Sequence, residues 1–131
     1  MSSSAEQAVI DRARHPEFSG DVPGATHQAK GANLSCGDEV SFTLRIDEGI
    51  IAQIAHQSRA CSICTAAADL LAQRLTAQPV QTIDTISNEE ILGELEIPLS
   101  PMRQKCALLP LQALKTGLDS LAPDQMSQPS A

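Results

Sequence analysis

The chain has 131 residues, with nine lysines and arginines against 16 aspartates and glutamates, which gives a formal net charge of −7. This length fits one domain of ordinary size. The acidic balance excludes a protein that binds the phosphate backbone of nucleic acids, because such binding needs clustered cations. No apolar run approaches the ~20 residues that span a bilayer. The first residues also lack the basic start and apolar stretch of a signal peptide, so we expect a cytoplasmic protein with no membrane partner.

The first predicted element is a short helix over Ala5–Arg14, with Ser4 as its N-cap. It ends before Pro16, because proline pushes the residue before it out of the helical region. Residues 17–31 contain several glycines and a proline, and they predict a loop followed by an irregular strand.

A β-hairpin is the clearest pattern in the sequence. Apolar and polar residues alternate from residue 40 to residue 46, which is typical of a half-buried strand. Gly49 is expected to take a positive φ in the turn that follows. The buried face of the return strand is predicted to hold Ile50, Ala52, Ile54 and His56.

Helical patterns follow the hairpin. The first covers about residues 62–75, where apolar residues recur at helical spacing. Residues 80–97 are expected to hold one short helix with Ser87 as its N-cap. The last helix is predicted over residues 101–118, and Pro110 inside it predicts a kink or a late start.

Strands that precede a set of helices indicate an α+β fold. We expect a small three-stranded antiparallel sheet with helices packed on one face. A single domain over residues 1–122 would contain these elements, and residues 123–131 are predicted to form a disordered tail because they are short and polar.

Four cysteines in a reducing compartment point to metal or sulphur chemistry more than to disulfides. Cys36, Cys61 and Cys106 each lie at a boundary of a predicted element, and such boundaries converge at the end of a sheet. Arg103 and Lys105, beside Cys106, are cations of the kind that favour a thiolate. The alternative for any single cysteine is a small buried hydrophobe.

Asp38 strengthens the prediction of a metal site. Only Gly37 separates it from Cys36, so the loop can bend both side chains toward one point. Three thiolates and one carboxylate would give Zn²⁺ a tetrahedral shell. Taken alone, Asp38 is more often a turn residue.

Four separated segments extend the cysteine pattern. They are His15-Pro16 with Gly20, Asn33-Leu34-Ser35-Cys36-Gly37-Asp38, Cys61-Ser62-Ile63-Cys64-Thr65-Ala66, and Arg103-Gln104-Lys105-Cys106-Ala107-Leu108-Leu109. In order and spacing they resemble the motifs of the iron–sulphur cluster assembly proteins of the IscU, SufU and NifU-N-terminal type. The resemblance implies an α+β fold with a site of Cys36, Asp38, Cys61 and Cys106 that binds zinc or a transient [2Fe–2S] cluster.

The resemblance also implies a function in iron–sulphur cluster assembly. Such a protein accepts sulphur from a cysteine desulfurase, with Cys106 as the expected acceptor, and serves downstream iron–sulphur apoproteins or carriers. The order Arg103-x-Lys105-Cys106 favours the SufU branch, whereas the short interval between Cys61 and Cys106 leaves no room for the insertion that SufU proteins carry. A zinc-dependent sulfurtransferase and a cluster scaffold therefore both remain open, as does a zinc that only stabilises the fold.

Three further residues stand beside this motif. Cys64 replaces the family's serine and creates Cys61-x-x-Cys64, a spacing that would also suit a thiol–disulfide oxidoreductase. The alternative is that Cys64 packs as the serine does. His56 is interpreted as a histidine at the edge of the core, with a ligand role left open. Asp69 is predicted to be solvated on the long helix.

Overall fold

The computed structural model describes residues 4–33 and 37–120, so the predicted tail over residues 123–131 lies outside the described residues. The elements in chain order are α1 (Ser4–Arg14), β1 (His27–Asn33), β2 (Asp38–Asp47), β3 (Ile50–Arg59), α2 (Ser62–Leu75), α3 (Thr82–Thr85), α4 (Asn88–Leu95), α5 (Pro101–Gly117) and β4 (Asp119–Ser120). The predicted α+β class is confirmed. The three predicted strands pair antiparallel, and the two-residue β4 extends the sheet to the order β3-β2-β1-β4.

The hairpin between β2 and β3 turns through two residues. Glu48 has φ 52° and Gly49 has φ 80°. A two-residue turn of this kind needs positive φ at both positions, so that the backbone twist matches that of the strands. The positive φ predicted for Gly49 is confirmed, and Glu48 adopts the same region without the freedom of a glycine.

A β-bulge lies in β3 just after this turn. Arg45 is paired with Gln53 and Ile46 with Ile51, so Ala52 has no partner across the ladder. The extra residue reverses the inward and outward alternation at that point. The predicted buried face is therefore wrong at its start, because Ile51 is fully buried whereas Ile50 is 39% exposed.

Helices α2 and α5 cover one face of the sheet and form the core with it. The inward residues of β2, Val40, Phe42 and Leu44, are buried against them. Along α2 the buried positions are mostly alanine and leucine, which lets the helix approach the strands closely. Because the chain has few aromatic residues, aliphatic side chains fill the core.

Helix α5 lies very close to the backbone of β1. A methyl group added at Gly31 would come 2.9 Å from the Cβ atom of Ala113. One added at Gly117 would come 3.0 Å from the carbonyl oxygen of Lys30. The absence of side chains at these two glycines sets the distance between helix and strand, and α5 carries one of the predicted site residues.

The N-terminus of α4 follows the predicted capping residue, whereas Ser4, the predicted N-cap of the first helix, is the first residue of α1. Ser87 accepts a hydrogen bond from the Glu90 N–H at 3.1 Å, and the Glu90 carboxylate accepts one from the Ser87 N–H at 2.9 Å, which together form a capping box. The segment before it holds the additional single turn α3. Helix α5 begins at Pro101 and continues through Pro110, so a late start is wrong. A kink at Pro110 stays a prediction.

Within the described residues, no helix is both long and apolar enough to cross a membrane.

Candidate metal site

The structure brings Asp38, Cys61 and Cys106 to one end of the sheet. One carboxylate oxygen and the two Sγ atoms all lie within 4.8 Å of one another. The three residues come from the start of β2, the N-terminus of α2 and the first half of α5. The fourth predicted ligand, Cys36, lies outside the described residues.

Asp38 connects two of these elements. Its side chain is buried, with 5% exposure. One carboxylate oxygen, Oδ1, accepts a hydrogen bond from the Cys61 N–H at 3.2 Å, and Oδ2 accepts the Cys61 thiol at 3.7 Å. Asp38 is the first residue of β2 and pairs with Asn33 of β1, so its carboxylate is held at the end of the sheet.

Cys61 is the N-cap residue of α2. Its backbone is extended, with φ −67° and ψ 167°, and its carbonyl accepts the Thr65 N–H at 3.0 Å to begin the helix. The side chain is partly exposed. The N-terminal end of a helix carries a partial positive charge, so this position suits an anionic site.

Cys106 is buried and lies one turn into α5, whereas the first turn of this helix is exposed. The Cys106 side chain is 3% exposed, whereas residues 101–105 are all exposed. Arg103 and Lys105 lie in this exposed turn, and neither forms an ion pair with any residue that the structure describes. That the two cations act on the Cys106 thiol stays a prediction.

The donor set fits zinc in its chemistry. Zn²⁺ binds thiolate sulphur at about 2.3 Å and carboxylate oxygen at about 2.0–2.2 Å, in a tetrahedral shell whose sulphur atoms lie about 3.8 Å apart. The observed spacing of up to 4.8 Å needs only a small contraction to reach that geometry. Asp38, Cys61 and Cys106 would supply three ligands, which leaves the fourth position for a further donor.

A second polar cluster lies deeper, between α1, β3 and α2. Asp69 and His56 are each 1% exposed, so the prediction that Asp69 is solvated is wrong. The Asp69 carboxylate accepts hydrogen bonds from His56 Nε2 at 3.1 Å and from the Arg12 guanidinium at 3.0 Å. It also accepts the N–H groups of Glu17 and Phe18 at 3.3 and 2.8 Å.

This cluster explains both residues as parts of the fold. The second ring nitrogen of His56, Nδ1, lies 3.1 Å from Ser58 Oγ, so both ring nitrogens have hydrogen-bond partners. The interpretation of His56 as a core histidine is therefore supported over a ligand role. The sequence held one signal for Asp69: it lies three residues after the buried Ala66 and so falls on the apolar stripe of α2.

The fold and the site together define a small α+β protein with a cluster of two thiols and a carboxylate, a candidate metal site, at one end of its sheet. The family model described as the NifU-like N terminal domain matches residues 4–126. The chain belongs to this family.

Named relatives come from both of the branches considered above. The iron–sulfur cluster assembly scaffold protein IscU of Thermotoga maritima is 27% identical over 132 aligned positions, which cover 88% of this chain and 93% of the relative. The zinc-dependent sulfurtransferase SufU of Bacillus subtilis is 26% identical over 129 positions, with 86% of this chain and 87% of the relative covered. Sequence similarity alone does not favour one branch over the other.

A solved structure supports the architecture. The crystal structure of an iron–sulfur cluster assembly scaffold protein for the SUF system from Fervidobacterium islandicum superposes with a TM-score of 0.74. The match covers 88% of this chain and 95% of the other, at 23% sequence identity. At that identity the likeness shows the fold, which agrees with the α+β architecture described above.

Proposed function

We propose that this protein acts in iron–sulphur cluster assembly in the cytoplasm. Cys36, Asp38, Cys61 and Cys106 would hold zinc, or a [2Fe–2S] cluster as cargo. The observation that carries the proposal is the gathering of one carboxylate and two thiols within 4.8 Å from three separate elements. The IscU and SufU relatives give this site its biological context.

The sulphur would come from a cysteine desulfurase. A thiolate of the site attacks the outer sulphur of the desulfurase persulfide, the bond between the two persulfide sulphurs breaks, and the desulfurase cysteine leaves as a thiolate. Cys106 is the proposed acceptor, because the exposed turn that carries Arg103 and Lys105 gives a partner a surface beside it. Bound zinc would keep the cysteine ligands deprotonated.

Metal binding by Asp38 is tested with two variants. Asp38→Ala removes both a ligand and the acceptor of the Cys61 N–H, so we expect zinc affinity to fall by about 100-fold or more in chelator competition. Asp38→Asn keeps an oxygen for the N–H but loses the charge, and its affinity should lie between those of Asp38→Ala and the native chain. Native affinity in Asp38→Ala would contradict the proposed site.

Sulphur acceptance is tested with a purified cysteine desulfurase. The native chain should increase the rate of alanine formation from cysteine and should carry a persulfide that mass spectrometry locates on Cys106. Cys106→Ser should abolish both effects, whereas Lys115→Gln, a change at an exposed position near the other end of α5, should leave them unchanged. A native chain that neither increases the rate nor carries a persulfide would leave only a scaffold or a structural role.

Reconstitution then separates the two branches. Under anaerobic conditions with iron and sulphide, a scaffold should develop the visible absorption of a [2Fe–2S] cluster at about one cluster per site. A zinc-dependent sulfurtransferase should keep its zinc and remain colourless. A chain that binds zinc but does neither would have a zinc that only stabilises the fold.

A further inference from the structure

Cys64 is the one described cysteine that the proposed site does not use. It is the third residue of α2 and its side chain is fully buried. It is not part of the group formed by Asp38, Cys61 and Cys106. None of Cys61, Cys64 and Cys106 forms a disulfide.

Cys64 lies one helical turn from Cys61. The hydrogen bond from the Thr65 N–H to the Cys61 carbonyl, at 3.0 Å, places Cys61 on the first turn of α2. Residues three apart on such a turn have Cα atoms about 5 Å apart, from the rise and radius of the helix. Disulfides form between Cα atoms about 4.4–6.8 Å apart, so this helical spacing lies within the range that a bond between the two cysteines requires.

Cys61 is the cysteine that connects the candidate site with the helical turn that carries Cys64. Its Sγ atom is within 4.8 Å of the Cys106 Sγ atom, and Cys64 lies on the same helix face. Cys61 is also partly exposed, whereas Cys64 and Cys106 are buried. An accessible first thiol with a buried second thiol three residues later is the arrangement that dithiol exchange needs.

We propose that Cys61 and Cys64 form a dithiol that reduces sulphur held on Cys106 and releases it as sulphide. The proposal rests on the proposed function for the source of that sulphur. In this proposal the chain itself supplies the two electrons that reduce each sulphur atom. Cys64 acts as the resolving thiol.

The reaction takes two exchange steps. In the first, the Cys61 thiolate attacks the Sγ atom of the Cys106 persulfide. A disulfide between Cys61 and Cys106 forms, the bond to the outer sulphur breaks, and HS⁻ leaves. In the second, the Cys64 thiolate attacks the Cys61 Sγ atom, and Cys106 leaves as a thiolate.

The atoms and electrons balance. Two thiols are oxidised to the disulfide between Cys61 and Cys64, and one sulphane sulphur is reduced to sulphide. The two protons lost by the thiols are taken up by HS⁻ and by the Cys106 thiolate. A dithiol reductant of the thioredoxin class would regenerate the pair for another round.

Cys64 determines which disulfide remains when the reaction is complete. Without it, the first step would leave Cys61 and Cys106 joined, and the acceptor would be lost. With it, Cys106 is restored as a thiol, and the disulfide lies within one turn of one helix.

The experiment loads the full chain chemically, so that it does not depend on a desulfurase. Inorganic polysulfide is added under anaerobic conditions without thiol reductant, excess reagent is removed, released sulphide is measured, and the cysteines are alkylated and mapped by mass spectrometry. The native chain should release about one sulphide per persulfide and contain a disulfide between Cys61 and Cys64, with Cys106 alkylated.

Variants assign each step. Cys64→Ser should still release sulphide but accumulate the disulfide between Cys61 and Cys106, with alkylation of Cys106 reduced about tenfold. Cys61→Ser should keep the persulfide on Cys106. Cys64→Ala repeats the first test with a side chain that is equally small, and circular dichroism checks that both variants fold. Lys115→Gln, a change at an exposed position outside the site, should behave as the native chain does.

The mass-spectrometric map of the cysteines in the native chain is sufficient to overturn the inference. Sulphide release with Cys64 still alkylated, or a persulfide that remains on Cys106 without sulphide release, would contradict it. Failure of the desulfurase assay with success of this one would contradict the proposed sulphur donor and leave the dithiol chemistry intact.

Discussion

Asp69 shows how much one buried carboxylate can organise. Its four hydrogen-bond donors come from α1, from the loop after α1 and from β3, while Asp69 itself belongs to α2. Both Asp69 and His56 are 1% exposed, so each depends on the other to satisfy a polar group that water does not reach. The sequence shows a lone aspartate on a helix, and only the tertiary fold supplies its partners.

We therefore expect Asp69→Ala to destabilise the protein strongly. The change leaves His56 Nε2 and two backbone N–H groups without their acceptor, and breaking a buried pair in this way costs about 3–5 kcal/mol. Urea denaturation gives the free energy of unfolding. The control is Glu94→Ala, which breaks an exposed ion pair with Arg74 and should cost about 1 kcal/mol or less. Equal losses in the two variants would contradict this account of Asp69.

At the scale of elements, the contact between α5 and β1 depends on a missing side chain. Gly31→Ala would place a methyl group 2.9 Å from the Ala113 Cβ atom and force the helix away from the strand. Such overpacking costs about 1–3 kcal/mol. The control is Gly93→Ala in α4, where an added methyl meets nothing within 4 Å. That change should stabilise the protein by about 0.5–1 kcal/mol, because alanine favours helix over glycine.

Thermal unfolding of the two glycine variants checks these opposite signs. A stabilising effect of Gly31→Ala would mean that helix and strand are farther apart than the structure has them.

Helix α4 carries a contribution to stability that depends on pH. The hydrogen bond from the Ser87 N–H, and then that from Arg74, lower the pKa of the Glu90 carboxyl from its ordinary value of 4.5. Its folded pKa lies below its unfolded pKa, so the contribution is complete above pH 4.5 and is lost as the pH falls through the lower folded value. Glu90→Gln should therefore reduce the loss of stability on acidification.

The measurement is the urea midpoint at pH 6 and at pH 3.5. Glu89→Gln is the control, since Glu89 lies beside Glu90 on the same helix without a role in the capping box. Between pH 6 and pH 3.5 the urea midpoint should fall less in Glu90→Gln than in Glu89→Gln. An identical change in both would contradict the capping contribution.

These elements also show what the sequence can and cannot predict. Period-two alternation and the Ser87 cap locate the hairpin and α4, because both signals are local. The bulge at Ala52 is not visible, since it appears only when β3 pairs with β2. Element boundaries and family motifs predict Asp38, Cys61 and Cys106, whereas their distances depend on how closely α5 packs on the sheet. The polar cluster of Asp69 is not visible in the sequence, because its partners lie far away along the chain.

At the scale of the whole molecule, the candidate site joins three segments that are distant in sequence. A metal that binds only the folded chain stabilises it by mass action, by about 2.7 kcal/mol at a free concentration 100 times the Kd. We expect zinc to raise the Tm of the native chain. The same concentration should have little effect on Asp38→Ala, which lacks one of the proposed ligands.

Cys64→Ser is the matched variant for this measurement. It changes a cysteine outside the proposed ligand set, so it should keep about one zinc per chain and the full rise in Tm. Loss of zinc from Cys64→Ser would contradict the assignment of the ligands.

The position of Cys106 in α5 has a consequence for biosynthesis. Asp38 and Cys61 are translated well before Cys106, and the first two can already meet when β2, β3 and α2 have formed. The third donor arrives only with the helix that also packs against Gly31 of β1. Growing chains that stop before this helix therefore lack both a proposed thiol ligand and a large part of the core, so full metal affinity should appear only once synthesis has passed α5.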